Sequence, residues 1–314
     1  MTLRTGLWLF PDAPPGELVE AATAMEATGL DELWLGDEGP AHDPFAVLAA
    51  VAVATKRLHL GVGVTNPYLR HPALTASTAA TVHELSGGRM ILGLGAGGSM
   101  ALDPVGIRPT HPLADCRAAL DLMRAVLEGR AVDGYTPPAH AVRAPDLPVV
   151  VGARGERFNR WASEAADGAF LAGIPPSFQA QAAGWARSVR PIALHCYVSA
   201  CLDDEERERT RPRLIHAFSD APERLRAQAG LALEEVKDAA RALDTGDEEP
   251  ARRLLTDERL DLVLVGPGSV VRVLAELARE LRPVSVGLAL LGEDPIGQVS
   301  KAASLLADVR KELS

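Results

Sequence analysis

Met90-Ile-Leu-Gly-Leu-Gly95 is an uncharged run that stops on glycine and is flanked on both sides by helical patterns. Apolar residues that follow one another without alternation suit a strand buried on both faces, as in a parallel sheet. Runs of the same kind recur outward from it. Upstream they cover 58–65, 33–36 and 3–10; downstream they cover 148–152, 168–172, 192–199 and 284–291. Between the first four lie amphipathic or Ala-rich helical segments at 17–27, 45–54 and 73–85. Eight strands alternating with helices in one direction predict an α/β fold, closed as a (β/α)8 TIM barrel rather than left as an open sheet.

Two connections are long, so insertions are expected after strands 4 and 7. The first holds a helix at 114–127 and then the Pro-rich stretch 132–144, an excursion or small hairpin. The second holds 203–242, charge-dense and helical in period, which predicts a mostly helical insertion over about 203–260. Its run Asp203-Asp-Glu-Glu-Arg-Glu-Arg reads as a solvated helix face with i,i+4 pairs. Residues 261–266 are a candidate further strand, before a helix that starts at Pro267-Gly-Ser and runs to Leu281. With no internal repeat or clear linker, 1–314 is expected to be one domain.

The composition excludes several classes. Apolar residues make up 47% of the 314 and charged residues 24%, enough for a large core without a metal or disulfide staple. Acidic residues outnumber basic ones by 42 to 32, a balance that repels phosphate backbones and argues against nucleic acid as a partner. The three cysteines, Cys116, Cys196 and Cys201, form no C-x-x-C pair, so a reducing cytoplasmic setting is expected. The opening Met1-Thr-Leu-Arg-Thr lacks a secretory pattern. The apolar stretch 44–55 is too short to span a bilayer and reads as a buried helix, so no membrane association is expected.

In a parallel barrel the working groups lie at the C-terminal ends of the strands. Here those ends are Phe10-Pro11, Asp37-Glu38, Thr65-Asn66, Gly95-Ala-Gly-Gly-Ser99, Gly152-Ala-Arg-Gly155 and Gly173-Ile174, where Gly, Asp, Asn and Arg crowd just after apolar residues have ended. Glycine-rich turns can present bare backbone N–H groups to an anion. Gly93-Leu-Gly-Ala-Gly-Gly98 could open a dinucleotide-binding fold, but three β–α units precede it and the region around Asp115 is helical. A tight barrel turn without a ligand is the other alternative. The histidines at 59, 83, 111, 140, 195 and 216 show no metal-ligand spacing; His195 reads as a satisfied core histidine, and no metal site is expected. Trp34, Trp161 and Trp185 read as packing.

Gly61-Val-Gly-Val-Thr-Asn-Pro-Tyr-Leu-Arg-His-Pro72 and Glu84-Leu-Ser-Gly-Gly-Arg-Met-Ile-Leu-Gly-Leu-Gly-Ala-Gly97 carry a resemblance beyond this general pattern. So do Leu33-Trp-Leu-Gly-Asp37, His42-Asp-Pro44, Pro148-Val-Val-Val-Gly-Ala-Arg-Gly155 and Ala165-Ala-Asp-Gly168, in that order. The chain resembles the bacterial luciferase-like superfamily and, within it, the branch that binds the deazaflavin coenzyme F-420. Methylenetetrahydromethanopterin reductases are nearest by pattern. The likeness covers most of residues 1–175, with a vaguer echo at Val265-Gly-Pro-Gly-Ser269.

The resemblance implies a barrel with the flavin-like ring at its C-terminal mouth, backed by a bulge and non-prolyl cis peptide that falls at Gly63-Val64. It implies that Thr65 and Asn66 bond the ring or its ribityl chain. Gly95, Ala96, Gly97 and Gly98 are to meet the chain and phosphate, and Gly152, Ala153, Arg154 and Gly155 form a second phosphate loop. An unliganded surface loop is the alternative for Arg154, and Arg70 and His71 serve packing or the cofactor's tail. Asp37 matches the family's acidic residue near the reaction centre. The family usually follows it with histidine, whereas this chain has Glu38. Two adjacent acids can shift one another's pKa and so handle a proton near neutrality; a solvated Glu38 is the alternative. The implied activity is hydride transfer between reduced F-420 and an organic, pterin-like or other heterocyclic substrate. FMN-dependent monooxygenation and a barrel that has lost turnover are the alternatives. A homodimer is also implied.

Overall fold

Each of the eight β-like runs becomes a strand. The structure, a computed structural model, describes residues 3–152, 154–292 and 294–313. Its strands are β1 (Arg4–Leu9), β2 (Glu32–Leu35), β3 (His59–Thr65), β4 (Met90–Leu94), β5 (Val149–Gly152), β6 (Gly168–Leu171), β7 (Ala193–Ala200) and β8 (Ser285–Leu290). Each pairs in parallel with the next and β8 closes on β1, giving the expected (β/α)8 barrel.

The outer helices start where the sequence fixes the backbone. Pro15, Pro44, Pro72, Pro112 and Pro176 each stand at a helix's first position, where proline's locked φ suits the helix and its missing N–H costs nothing. Asp43 caps Pro44–Ala54 by accepting from Phe45 N and Ala46 N at 2.9 and 3.0 Å. That helix, expected to be buried, is buried on one side only: Val53 is 60% exposed.

Strand alternation sorts the core into two shells. Leu7, Leu33, Leu60, Leu92 and Val151 face outward beneath the helices. Trp8, Trp34, Ile91, Val150, Phe170 and Tyr197 fill the barrel's interior. Trp34 packs on Phe170 with ring centroids 4.3 Å apart. A Cβ at Gly61 would stand 2.3 Å from the Trp34 ring, so the indole fits only because the residue across from it has no side chain. Trp34 and Trp161 are packing residues, as predicted.

At the barrel's other end the buried His195 places Nδ1 2.9 Å from Ser285 Oγ and 3.3 Å from Glu32 Oε1. It is the satisfied core histidine expected.

The long connections are chiefly helical. After β4 come the helix Pro112–Glu128 and a single antiparallel bridge between Val132 and Tyr135, in place of a full hairpin. After β7 come six α-helices and one 3-10 helix between Asp204 and Val263. They hold a hydrophobic cluster of their own, including Leu214, Phe218, Val236, Leu255 and Leu260. The further strand expected at 261–266 is not formed. Asp257–Val263 is a helix, and only Val265 bridges to Ala200 of β7. The charged run at 203 is a helix face, with Arg207 on Asp261 at 2.8 Å, except that Glu206 turns inward to Gln298 at 2.6 Å. Among the described residues no helix is long and apolar enough to cross a membrane.

Candidate active site

The C-terminal ends of the strands open into a cavity of about 370 Å³. Its floor comes from β3. The Gly63–Val64 peptide is cis, and the β3–β4 register breaks between Val62 and Thr65. Trp8 Nε1 donates to Gly63 O at 2.5 Å, tying the bulge to β1. The Val64 side chain reaches across the next two strands. A Cβ at Gly95 would lie 2.6 Å from Val64 Cγ2, and one at Gly152 would lie 2.5 Å from Val64 Cγ1. Glycine at these two positions therefore makes room for the floor. Gly63, Val64, Phe170 and Ala289 line the cavity, whereas Gly95 stands behind it.

Thr65 and Asn66 also stand one layer back. Both are buried, and neither lines the cavity. Asn66 Oδ1 accepts from Tyr68 N and Leu69 N at 3.0 and 3.1 Å, shaping the turn after β3. Thr65 Oγ1 donates to Asp37 Oδ2 at 2.6 Å, so it reaches the cavity through that carboxylate. Arg70 pairs with Asp43 and lies 5.1 Å over Phe45, while the exposed His71 caps the next helix, its Nδ1 accepting from Ala73 N at 3.3 Å; neither lines the cavity.

Asp37 and Glu38 follow β2, and both line the cavity. Burial pushes the Glu38 carboxyl up to about 7; Asp37 and Asp220 add to the rise and Arg154 opposes it. Burial also raises Asp37, against the Thr65 hydroxyl, with Asp43 adding to the rise and Arg70 opposing it. The alternative in which Glu38 is simply solvated does not hold. It is a half-buried acid whose protonation changes near neutrality.

The two glycine-rich turns face each other across the mouth. Ala96, Gly97 and Gly98 line it, Gly97 at a φ of +74° that suits glycine. On the β5 side Gly152, Arg154 and Gly155 line it, while Ala153 lies outside the described residues. Nothing stands within 4 Å of where a Gly155 Cβ would project, so this turn leaves open space beside Arg154.

The remaining wall was not anticipated. Arg213, Leu214, His216, Ala217 and Asp220, all from the insertion after β7, close the cavity's side. Asp220 Oδ2 accepts from Ser99 N at 3.0 Å, Arg154 Nη1 donates to Ala217 O at 3.3 Å, and Arg213 Nη1 lies 3.1 Å from Asp12 Oδ2. One short segment is thus tied to the ends of β4, β5 and β1. Phe10 and Ser199, at the ends of predicted strand runs, also line the space, as does Phe158, which carried no sequence signal; Phe170 could have been found from the alternation along β6.

A flat ring with an anionic side arm suits this donor set. Apolar groups form the floor, two carboxyls form one edge, and a guanidinium stands beside an open glycine turn. Residues 2–282 match the family model described as luciferase-like monooxygenase. The chain belongs to the luciferase-like monooxygenase family. Among its relatives is the 5,10-methylenetetrahydromethanopterin reductase of Archaeoglobus fulgidus, 30% identical over 300 residues, 88% of this chain and 90% of that one. The F-420-dependent glucose-6-phosphate dehydrogenase of Gordonia bronchialis is 34% identical over 175 residues, 49% of this chain and 52% of the other. In structure the chain is similar to the coenzyme F-420-dependent tetrahydromethanopterin reductase from Methanopyrus kandleri. The TM-score is 0.77 at 24% identity, over 96% of this chain and 98% of that one.

Proposed function

We propose that this chain is an oxidoreductase that takes coenzyme F-420 into the barrel mouth and transfers a hydride between it and an organic substrate, a pterin-like or other heterocycle. The observation that carries the chemistry is Glu38, an acid raised to about 7 inside the same cavity as the cis Gly63–Val64 floor. Hydride transfer to or from a heteroatom-bearing centre needs a partner for the accompanying proton, and a group titrating near neutrality serves best. The relatives whose names carry F-420, a dehydrogenase and a tetrahydromethanopterin reductase, support the cofactor.

When bound, F-420 supplies the hydride; the protein supplies position, dryness and a proton. Val64, Phe170 and Ala289 offer one apolar face to a ring. Glu38 holds or gives up the proton at its carboxyl, with Asp37 beside it kept in place by Thr65. Arg154 neutralises an anionic group with charge-assisted hydrogen bonds. The wall at 213–220 excludes water. A homodimer and a cytoplasmic setting are part of the same proposal.

The test is a fluorescence titration of the purified protein with F-420 and, in parallel, with FMN. Micromolar binding of F-420 alone is the expected result. Binding of FMN alone would replace it with an oxygen-using monooxygenase, and binding of neither would leave a barrel that has lost turnover.

A further inference from the structure

A second cavity of about 140 Å³ adjoins the first, and Arg154 and Gly155 line both. Its walls are apolar: Ile174, Pro175, Phe178, Trp185, Pro222 and Leu225. Phe178 and Trp185 are only half-buried, although the chain has few aromatic residues to spend on its surface. Arg224, at its outer edge, lies 5.1 Å over the Phe178 ring and donates from Nη1 to Gln181 Oε1 at 2.9 Å. A guanidinium has five N–H donors, so that bond leaves its charge and most of its donors to other use. Among the described residues, neither Arg154 nor Arg224 stands within ion-pair distance of a carboxylate. The acid in the lining, Glu156, is engaged by Arg160 at 2.7 Å.

The pattern is an arginine shared by the two cavities, an apolar pocket beyond it, then a second, exposed arginine. It suits an arm that carries one anionic group at Arg154 and another farther out. A ligand that ends at its first anion would leave the second pocket and Arg224 unused. The two cofactor chemistries differ in this respect: FMN ends at its phosphate, whereas the phosphate of F-420 is a diester that continues into a carboxylate-bearing tail.

We propose that the second cavity, bounded by Phe178, Trp185 and Arg224, holds the carboxylate-bearing tail of F-420 beyond the phosphodiester at Arg154. The tail's methylene stems lie on the aromatic faces and a carboxylate meets Arg224. The insertion therefore contributes to cofactor choice through Arg224 as well as to the cavity wall. This rests on the F-420 assignment and adds to it a subsite that FMN cannot reach.

The test uses the full chain and two probes: F-420, and its tail-less riboside, which has the same ring but no phosphate or tail. Arg224 is exposed, so its replacement spares the core. In Arg224→Gln the dissociation constant for F-420, read from cofactor fluorescence, should rise about threefold to tenfold, and more in Arg224→Glu. The riboside should bind all three proteins equally, and Arg272→Gln, at an exposed position of the helix Val270–Leu281, should leave both probes unaffected. Equal F-420 affinity in wild type and Arg224→Gln overturns the subsite, as does an equal loss for both probes. If wild type binds FMN and not F-420, the cofactor assignment itself falls, and the subsite with it.

Discussion

Replacing Glu38 by glutamine exposes the electrostatics of the cavity through stability. Glu38 stands at about 7 in the folded protein against an ordinary 4.5, raised first by burial and then by Asp37 and Asp220, with Arg154 opposing. The unfolded chain releases this proton near the ordinary value; the folded chain keeps it for about 2.5 pH units more. Over that interval the folded state binds more protons than the unfolded state, so stability falls as pH rises. At about 1.4 kcal/mol per pH unit, the wild type loses about 3 kcal/mol on this account. Glutamine cannot ionise and loses none of it. Urea unfolding followed by tryptophan fluorescence should therefore show Glu38→Gln gaining on the wild type, from little difference in acid to about 3 kcal/mol at pH well above 7. Changes in packing or hydrogen bonding shift both ends of that comparison alike. A stability difference that does not vary with pH would mean an ordinary carboxyl, and Glu38 would no longer qualify as a proton carrier at neutrality.

Asp37→Ala should abolish turnover while near-UV circular dichroism stays unchanged; wild-type kcat in that variant would remove Asp37 from the mechanism. Thr65→Val deletes the 2.6 Å hydroxyl bond that holds Asp37 down. The acid limb of kcat/KM against pH should then move to higher pH, and superimposable profiles would break the link. Arg154→Ala should weaken F-420 binding by ~1–3 kcal/mol, the range for a charge-assisted contact, in the same fluorescence titration. Unaltered affinity would place the cofactor's anion elsewhere. Gly152→Ala puts a Cβ 2.5 Å from Val64 Cγ1 and should destabilise the fold by ~1–3 kcal/mol in urea, through overpacking at the cavity floor. A midpoint equal to wild type would show that Val64 can yield without effect.

The barrel was legible because its signal is periodic and repeated. Uncharged runs such as 90–95 and helices opened by proline declare themselves within ten or fifteen residues. The strand-end residues followed from the fold, since a parallel barrel works at one face. What failed was short or distant. Residues 261–266 form a mostly apolar run too brief for periodicity to separate strand from helix, and the helix Asp257–Val263 took its first half. Asp220 meets Ser99 across 121 positions of sequence, and no local pattern marks such a partner. Gly95 and Gly152 carry a subtler lesson. The sequence suggests turns that cradle a phosphate, yet both glycines also clear space for Val64, a demand visible only once β3, β4 and β5 are side by side.

The same strand separates stability from chemistry. β2 begins with Glu32 and is followed, three residues beyond its end, by Glu38. Glu32 is fully buried at the barrel's closed end. Burial alone would raise its carboxyl, but His195 at 3.3 Å and Arg4 at 3.5 Å hold it well below the usual carboxylate range, and Tyr197 Oη donates to it at 3.0 Å. A carboxylate so compensated stays ionised at neutral pH and has no proton to give. Its removal would leave both His195 and Arg4 without the carboxylate they share. Glu38 is surrounded the opposite way, with Asp37 and Asp220 as neighbours and Arg154 alone in opposition. No gain in folding explains that arrangement, because gathering like charges around a half-buried acid lowers stability at neutral pH. The insertion adds to the repulsion by delivering Asp220 and fastening it to Ser99. Of the two glutamates, the one kept ionised by its neighbours His195 and Arg4 serves the fold, and the one raised by burial and by nearby carboxylates is the proton carrier that the proposed reaction requires.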